Sequence, residues 1–121
     1  MSKRILVVED QEDNRQILRD LLANAGYDMI EAEDGQQAIV AAAEHRPDLI
    51  LMDIQLPMLD GYEATRRIKA DPALNKIPII VVTSYALSGD EEKAYAAGCD
   101  AYVAKPYDPL ALLETIRHHL G

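Results

Sequence analysis

Five residues that could act together chemically each follow a short apolar run of the sequence. The set comprises Glu9, Asp10, Asp53, Thr83 and Lys105. Three carboxylates held close together repel one another and raise at least one pKa unless a cation lies between them. Mg²⁺ suits such oxygen ligands because it retains several waters and often shares its coordination sphere with phosphate oxygens. With a lysine and a hydroxyl beside the ion, this set fits a site that accepts a phosphoryl group on an aspartate.

Each of these residues also has an ordinary structural interpretation. Asp10 could cap the first helix, and Lys105 could be a surface lysine before a turn proline. Asp53 is harder to explain in this way, because it lies too far before Asp60 to cap the next helix and Pro57 marks a loop between them. The placement of the whole set at four strand ends therefore carries more weight than any single member.

Short apolar runs alternate with longer amphipathic stretches along the chain. The runs predict five strands, at 5–8, 27–31, 49–52, 77–82 and 101–104. Continuous apolar runs are typical of central parallel strands that are covered on both faces, and the more polar second run favours a sheet edge.

Helix-start signals separate the predicted strands. Capping-box patterns occur at Asp34 with Gln37, Asp60 with Glu63 and Ser88 with Glu91, and Asp108 precedes Pro109. These four signals, with the amphipathic stretch that follows the first strand, predict five helices. Five βα units predict one α/β domain over residues 1–121, a doubly wound parallel sheet that binds ligands at the carboxyl ends of its strands.

Composition narrows the possible partners and location. Asp and Glu number 21 against 12 Lys and Arg, a formal net charge of −9 that disfavours nucleic acid and anionic membranes. Cys99 is the only cysteine, so an internal disulfide is excluded. The sequence shows neither a signal-peptide pattern nor an apolar stretch long enough to span a bilayer, and we expect a cytoplasmic protein.

The order and spacing of four motifs point to a family. The motifs are Glu9-Asp10, the segment 53–61 (DIQLPMLDG), Val81-Val82-Thr83-Ser84, and Tyr102-Val103-Ala104-Lys105-Pro106. With these motifs the chain resembles, from Ile5 to about Leu120, the receiver domain of bacterial two-component response regulators. The resemblance implies a flavodoxin-like sheet with strand order 2-1-3-4-5.

The resemblance also implies roles for the acidic residues. Asp53 would be the phosphoacceptor. Glu9, Asp10, Asp53 and the backbone carbonyl of Gln55 would bind Mg²⁺.

Further roles follow for residues of the fourth and fifth strands. Thr83 would hydrogen-bond to the phosphoryl group, and Lys105 would pair with it, with a cis peptide bond to Pro106. Tyr102 would turn inward when Thr83 moves, so Thr83 and Tyr102 form the expected switch. The surface that changes would be that of the fourth helix, fifth strand and fifth helix.

Three further positions are expected to tune the lifetime of the acyl phosphate. They are Gln55, Ser84 and Tyr85. Ser84 stands where the family usually has Ala or Gly, which predicts tighter access to the phosphate. Tyr85 is expected to shield the acyl phosphate from water.

The expected partners are proteins. A sensor histidine kinase or a histidine phosphotransfer protein would donate the phosphoryl group, and a downstream protein would receive the signal. The first helix, with Gln11, Asn14, Arg15 and Leu18, offers a docking face. The resemblance is greatest to stand-alone regulators of cell division, and no small-molecule substrate other than phosphodonors is expected.

Three alternative functions compete with this interpretation. A receiver-shaped adaptor would bind partners without being phosphorylated. A Mg²⁺-dependent phosphatase or nuclease generally needs a second carboxylate two residues after its aspartate, where this chain has Gln55. A flavin mononucleotide carrier would need a Ser/Thr/Gly-rich loop after the first strand, where residues 9–13 are mostly acidic.

Overall fold

The computed structural model describes residues 2–83 and 90–120, so the predicted features at Ser84, Tyr85 and Ser88 lie outside the described residues. Strands and helices alternate in the order β1 (Arg4–Val8), α1 (Glu12–Asn24), β2 (Asp28–Ala32), α2 (Gly35–His45), β3 (Leu49–Met52), α3 (Gly61–Ala70), β4 (Ile79–Thr83), α4 (Asp90–Ala97), β5 (Ala101–Ala104) and α5 (Pro109–Leu120). None of the described helices is both long and apolar enough to cross a bilayer.

The five strands form one parallel sheet in the order β2-β1-β3-β4-β5. This arrangement confirms the predicted fold class and strand order. The register places Val8 beside both Ala32 and Met52, so β1, β2 and β3 end at the same level. Residues that follow these strands therefore come out at one edge of the sheet.

Successive residues of each strand are buried alternately on the two faces of the sheet, in two separate core layers. On one face, α2, α3 and α4 cover Leu6, Val8, Ile50, Met52, Ile79 and Val81. On the other face, α1 and α5 cover Ile5, Val7, Leu49, Leu51, Ile80 and Val82. Because both faces are covered, the central strands are apolar at every position from Ile5 to Val8, Leu49 to Met52 and Ile79 to Val82, as the continuous runs predicted.

The fourth strand differs from its predicted range of 77–82. The Ile77 amide donates to the Leu74 carbonyl in the turn after α3, at 3.0 Å, and Pro78 has no amide proton for a sheet. The strand therefore begins at Ile79, where its pairing with β3 starts, and continues to Thr83, which pairs with β5. Thr83, expected just after the strand, is its fully buried last residue.

Three predicted helix caps are present in the structure, and the third lies at α5, where the Leu110 amide donates to Asp108 Oδ1 at 3.1 Å just after Pro109 opens the helix. Asp34 Oδ1 accepts from the Gln37 amide at 2.7 Å, and Asp60 Oδ1 accepts from the Glu63 amide at 2.9 Å. The return bond of a full capping box does not form in either case. Gln37 bonds to the Glu33 amide instead, and the Glu63 carboxylate pairs with arginines of its own helix. The Asp side chains alone therefore mark the starts of α2 and α3.

Removing the hydroxyl of Thr65 is expected to stabilise the fold. Thr65 is fully buried in α3, and its Oγ1 has no hydrogen-bond partner within the described residues. A buried hydroxyl without a partner costs about 1–3 kcal/mol, so Thr65→Val should raise the free energy of unfolding by about 1 kcal/mol in urea denaturation.

Thr115→Val is the matched control for this substitution. Thr115 is only half-buried on α5, and its hydroxyl donates to the Ala111 carbonyl at 3.1 Å. Valine there should change stability by less than about 0.5 kcal/mol. A loss of stability in Thr65→Val would show that this hydroxyl does have a partner in solution.

Candidate functional site

Glu9 and Asp53 are held side by side at the carboxyl edge of the sheet. The Glu9 amide donates to the Ala32 carbonyl at 3.0 Å, and the Asp53 amide donates to the Val8 carbonyl at 3.1 Å. These bonds continue the ladder one residue beyond β1 and β3. The backbone that carries both carboxylates is therefore held by the same kind of hydrogen bonds as the strands.

Lys105 lies across this edge. Its Nζ donates to Glu9 Oε1 at 2.8 Å and lies 3.6 Å from Asp53 Oδ2. The Lys105 amide donates to the Thr83 carbonyl at 2.7 Å, and the Lys105–Pro106 peptide bond is cis, as the resemblance implies. The shorter contact joins Lys105 to Glu9 rather than to Asp53, which the sequence did not predict.

Glu9, Asp10 and Asp53 form a cluster that could hold a metal ion. Each offers a carboxylate oxygen, and these three oxygens lie within 4.8 Å of one another. The side chains of Glu9 and Asp53 are only 3% and 11% exposed, while Asp10 is more open. The N-cap of α1 is Gln11 with no side-chain cap bond, so the alternative interpretation of Asp10 as a helix cap is wrong.

Burial and mutual repulsion set the pKa values of the cluster. Burial raises the pKa of Asp53 to about 6, with the attraction of Lys105 opposing the shift and the repulsion of Glu9 adding to it. Burial and Glu9 also raise the pKa of Asp10. Burial acts on Glu9 in the same direction, but hydrogen bonds from Lys105 and the Gln11 amide outweigh it and lower the pKa of Glu9. When all three are ionised, one ammonium faces three carboxylates, and a divalent cation would balance the remaining charge.

The other predicted site residues lie around this cluster. The Gln55 amide donates to Asp53 Oδ1 at 3.2 Å, and the Gln55 side chain is exposed. Thr83 ends β4, next to Ala104 of β5. Tyr102 is half-buried in β5 and packs against the core layer under α2, α3 and α4. The proposed ligand, switch and tuning roles of these residues remain predictions.

Gly61, the last residue of the DIQLPMLDG motif, contributes to the site in a way that the sequence did not predict. A Cβ on Gly61 would lie 2.1 Å from the Asp53 carbonyl oxygen, and the Gly61 amide donates to the Ile54 carbonyl at 3.0 Å. The start of α3 therefore rests directly on the backbone of Asp53. The Asp-Gly pair in DIQLPMLDG was the available signal for this close approach.

The docking face predicted on the first helix is partly wrong. Arg15 and Leu18 are both buried, at 7% and 5% exposure. Their spacing with Leu22 (i, i+3, i+7) places all three on the inner face of α1, and this spacing could have revealed it. Gln11 is exposed and Asn14 is half-buried, so these two remain accessible.

A cleft of about 470 Å³ opens beside Lys105, between α1 and the segment that joins β5 to α5. Its walls include Ile17, Leu18, Pro106, Tyr107 and Pro109. Ile17 is 56% exposed and adds apolar area to the wall of this cleft. The cluster thus adjoins an open, mainly apolar surface.

The fold, the carboxylate cluster and Lys105 together are the features of a receiver domain. Residues 5–117 match the response regulator receiver domain family, and the chain belongs to it. It is 47% identical over 121 residues to the polar-differentiation response regulator DivK of Brucella anthropi, covering 100% of this chain and 98% of the relative. DivK of Brucella abortus (strain 2308) is 46% identical over the same length and coverage.

Solved structures agree with this assignment. The receiver domain of the sensor histidine kinase PA1611 from Pseudomonas aeruginosa PAO1, which has a magnesium ion coordinated in its active site cleft, superimposes with a TM-score of 0.93 at 40% identity. The alignment covers 100% of this chain and 99% of that one. The chemotaxis protein CheY4 of Vibrio cholerae gives a TM-score of 0.90 at 27% identity, with 98% of both chains covered. These relationships offer no support for the phosphatase alternative.

Asp53→Asn is expected to stabilise the metal-free protein in a pH-dependent way. The pKa of Asp53 is raised to about 6 in the folded state. Well above that pH the carboxylate is charged in both states, so its full cost of about 2–3 kcal/mol is present. The cost shrinks as the pH falls through about 6 and vanishes only well below the ordinary aspartate pKa of about 4, where the group is protonated in both states. Asn should therefore raise the free energy of unfolding by about 2 kcal/mol at pH 7.5 and by much less at pH 4.5.

Urea denaturation at the two pH values measures this difference, with Asp20→Asn as a control that removes an exposed carboxylate from α1. Asp20→Asn should have a small effect at both pH values. An equal gain for Asp53→Asn at pH 7.5 and pH 4.5 would contradict the raised pKa.

Gly61→Ala should destabilise the protein because the new methyl group would overlap the Asp53 carbonyl. Overpacking of this kind costs about 2 kcal/mol or more, measurable by thermal or urea denaturation. Gly26→Ala is the matched control, since Gly26 has φ +87° but no atom within 4 Å of an added Cβ. It should lose only about 1–2 kcal/mol through backbone strain. If Gly61→Ala lost less than Gly26→Ala, the contact with Asp53 would be looser than the structure indicates.

Proposed function

We propose that Asp53 accepts a phosphoryl group from a phosphohistidine on a sensor histidine kinase or histidine phosphotransfer protein, and that the phosphorylated chain signals through a downstream protein. The observation that carries this proposal is the grouping of Lys105 Nζ, 3.6 Å from Asp53 Oδ2, with three carboxylates at one sheet edge. Family membership and the similarity to DivK regulators support it.

The donor set fits Mg²⁺ as the cofactor. Glu9, Asp10 and Asp53 supply carboxylate oxygens within reach of one ion, and the backbone carbonyl of Gln55 would be a fourth ligand. Hard oxygen ligands in small number, with room for water, suit Mg²⁺ better than a softer metal. When bound, the ion would offset the negative charge of the carboxylates and of an incoming phosphoryl group.

Asp53 and Lys105 have complementary tasks in the transfer. A carboxylate oxygen of Asp53 attacks phosphorus, the P–N bond to the partner's histidine breaks, and the imidazole leaves with its electron pair and takes up a proton. Lys105 sits 3.6 Å from Asp53 Oδ2, which is too long for a hydrogen bond, so that oxygen keeps lone pairs for attack. The ammonium is placed to pair with the phosphoryl oxygens once they arrive. In this sense the chain assists its own phosphorylation and dephosphorylation.

Thr83 and Tyr102 are proposed to pass the signal to the surface. Phosphorylation adds about −1.5 to −2 charge, which would draw the Thr83 hydroxyl toward the phosphate and shift the population of conformers. Tyr102 lies on the neighbouring strand, and the phenol of Tyr95 in α4 shares a hydrogen bond with the Tyr102 backbone. A movement at β4 and β5 would therefore reach α4, and the α4, β5 and α5 surface would present the output. Gln55, Ser84 and Tyr85 would tune how long this state lasts.

The cleft beside Lys105 is the proposed contact for the histidine-bearing partner. It adjoins Lys105 and Glu9, so a partner seated on Ile17, Pro106 and Tyr107 would bring its phosphohistidine to Asp53. The net charge of −9 favours a partner with a basic surface.

Phosphorylation by a small donor tests the central step. The chain is incubated with Mg²⁺ and an acyl phosphate, and intact-mass spectrometry follows the addition of a phosphoryl group. We expect one group on the unmodified chain and on Asp20→Ala, and none on Asp53→Ala. Lack of any addition to the unmodified chain would favour the adaptor, and repeated hydrolysis of varied phosphoesters would favour an enzyme.

A further inference from the structure

Arg15 is a buried charged residue that the proposed phosphoryl transfer does not use. Its side chain is 8% exposed, on the inner face of α1. Nη1 donates to the backbone carbonyl of Glu9 at 2.7 Å, in a buried hydrogen bond. That carbonyl belongs to the peptide that joins Glu9 to Asp10, two members of the carboxylate cluster.

Three carboxylates hold the guanidinium group in this position. Nε lies 3.2 Å from Glu31 Oε1 in β2, and Nη2 lies 3.3 Å from Glu33 Oε1 just after β2. Nη2 also pairs with Glu12 in the first turn of α1. A planar guanidinium that donates in several directions cannot rotate without breaking several of these bonds. Arg15 therefore ties the end of β1 to α1 and β2.

We propose that Arg15 is a positioning residue for the divalent cation site, acting by fixing the Glu9–Asp10 peptide. The Glu9 amide is already bonded to the Ala32 carbonyl, and Arg15 anchors the carbonyl of the same residue. Asp10 itself follows this peptide and has no capping bond in α1 to hold it. Without Arg15, the Glu9–Asp10 peptide would lose the anchor on its carbonyl, and the orientation of Asp10 toward Glu9 and Asp53 would be less restricted.

If Arg15 acts only through its charge, its loss should change cation binding in one direction, and if it acts by positioning the backbone, in the opposite direction. Removing a positive charge near three carboxylates makes their surroundings more negative and strengthens the attraction for a cation. Removing an anchor for the ligand backbone weakens cation binding, and loss of a supporting contact of this kind typically costs 10–100-fold in metal affinity. The sign of the change therefore separates the two explanations.

Arg19 provides a matched control in the same network. Its Nη2 lies 2.6 Å from Glu31 Oε1 and 3.3 Å from Glu12 Oε1, and its Nη1 donates to Gln16. Arg19 thus shares two of the acidic partners of Arg15, but the described bonds of its guanidinium group go to side chains rather than to the Glu9 carbonyl. Arg19→Met removes the same charge and leaves the anchor in place.

Direct titration of the full chain with Mg²⁺ tests the proposal, which depends on the proposed cation site. Binding is followed by the backbone amide NMR signal of Asp53, at constant ionic strength and well below the unfolding temperature. Arg15→Met should bind Mg²⁺ about 10-fold more weakly than the unmodified chain, while Arg19→Met should bind equally or more tightly. In phosphorylation by an acyl phosphate, Arg15→Met should need more Mg²⁺ for half the maximal rate but approach the unmodified rate at saturation.

Equal or tighter binding by Arg15→Met would overturn the proposal. If that variant does not fold by circular dichroism, Arg15→Lys decides the matter at unchanged charge: weaker Mg²⁺ binding supports the anchoring role, and unchanged binding overturns it. If the unmodified chain binds no Mg²⁺, the cation site and the role of Arg15 fail together. If the unmodified chain binds Mg²⁺ and Arg15→Met binds it equally well, only the proposed role of Arg15 fails and the cation site stands.

Discussion

Repulsion among the carboxylates of Glu9, Asp10 and Asp53 is the constraint that the rest of the site must satisfy. Lys105 offsets part of it, 2.8 Å from Glu9 Oε1 and 3.6 Å from Asp53 Oδ2. One ammonium cannot neutralise three carboxylates, and burial leaves the pKa of Asp53 raised to about 6. The unbalanced charge is what gives the site its capacity for a divalent cation, since a fully neutralised cluster would have little attraction for one.

Strand order brings this repulsion about. β1 lies between β2 and β3, so the residue after β1 and the residue after β3 are neighbours although 44 positions separate Glu9 from Asp53. The chain reverses its direction of winding between β1 and β3, and ligands of open α/β sheets bind at such a point. Lys105 reaches the same edge from the end of β5, which is the outermost strand on the side of the sheet opposite β2. The cluster is therefore a property of the topology rather than of any one motif.

The supporting contacts act mainly on backbone atoms. Gly61 rests on the Asp53 carbonyl, Arg15 holds the Glu9 carbonyl, and the Glu9 and Asp53 amides extend the sheet ladder. Anchoring the main chain in this way fixes where each carboxylate starts without using many of its lone pairs. Acidic side chains can thus be held close together and still have oxygens free for a cation.

Local patterns in the sequence were sufficient for much of this structure. Apolar runs located the strands, and Asp34 and Asp60 marked helix starts, because side-chain alternation and caps depend on residues within a few positions of each other. Asp53 and Lys105 could be named as candidate site residues for the same reason, because each stands at the end of a recognisable apolar run. Packing between distant segments decided the rest. The burial of Arg15 against Glu9 and the close approach of Gly61 to Asp53 were not predicted. Nor were the contact of Lys105 with Glu9 and the start of β4 at Ile79. Each of these features depends on which elements the fold places side by side.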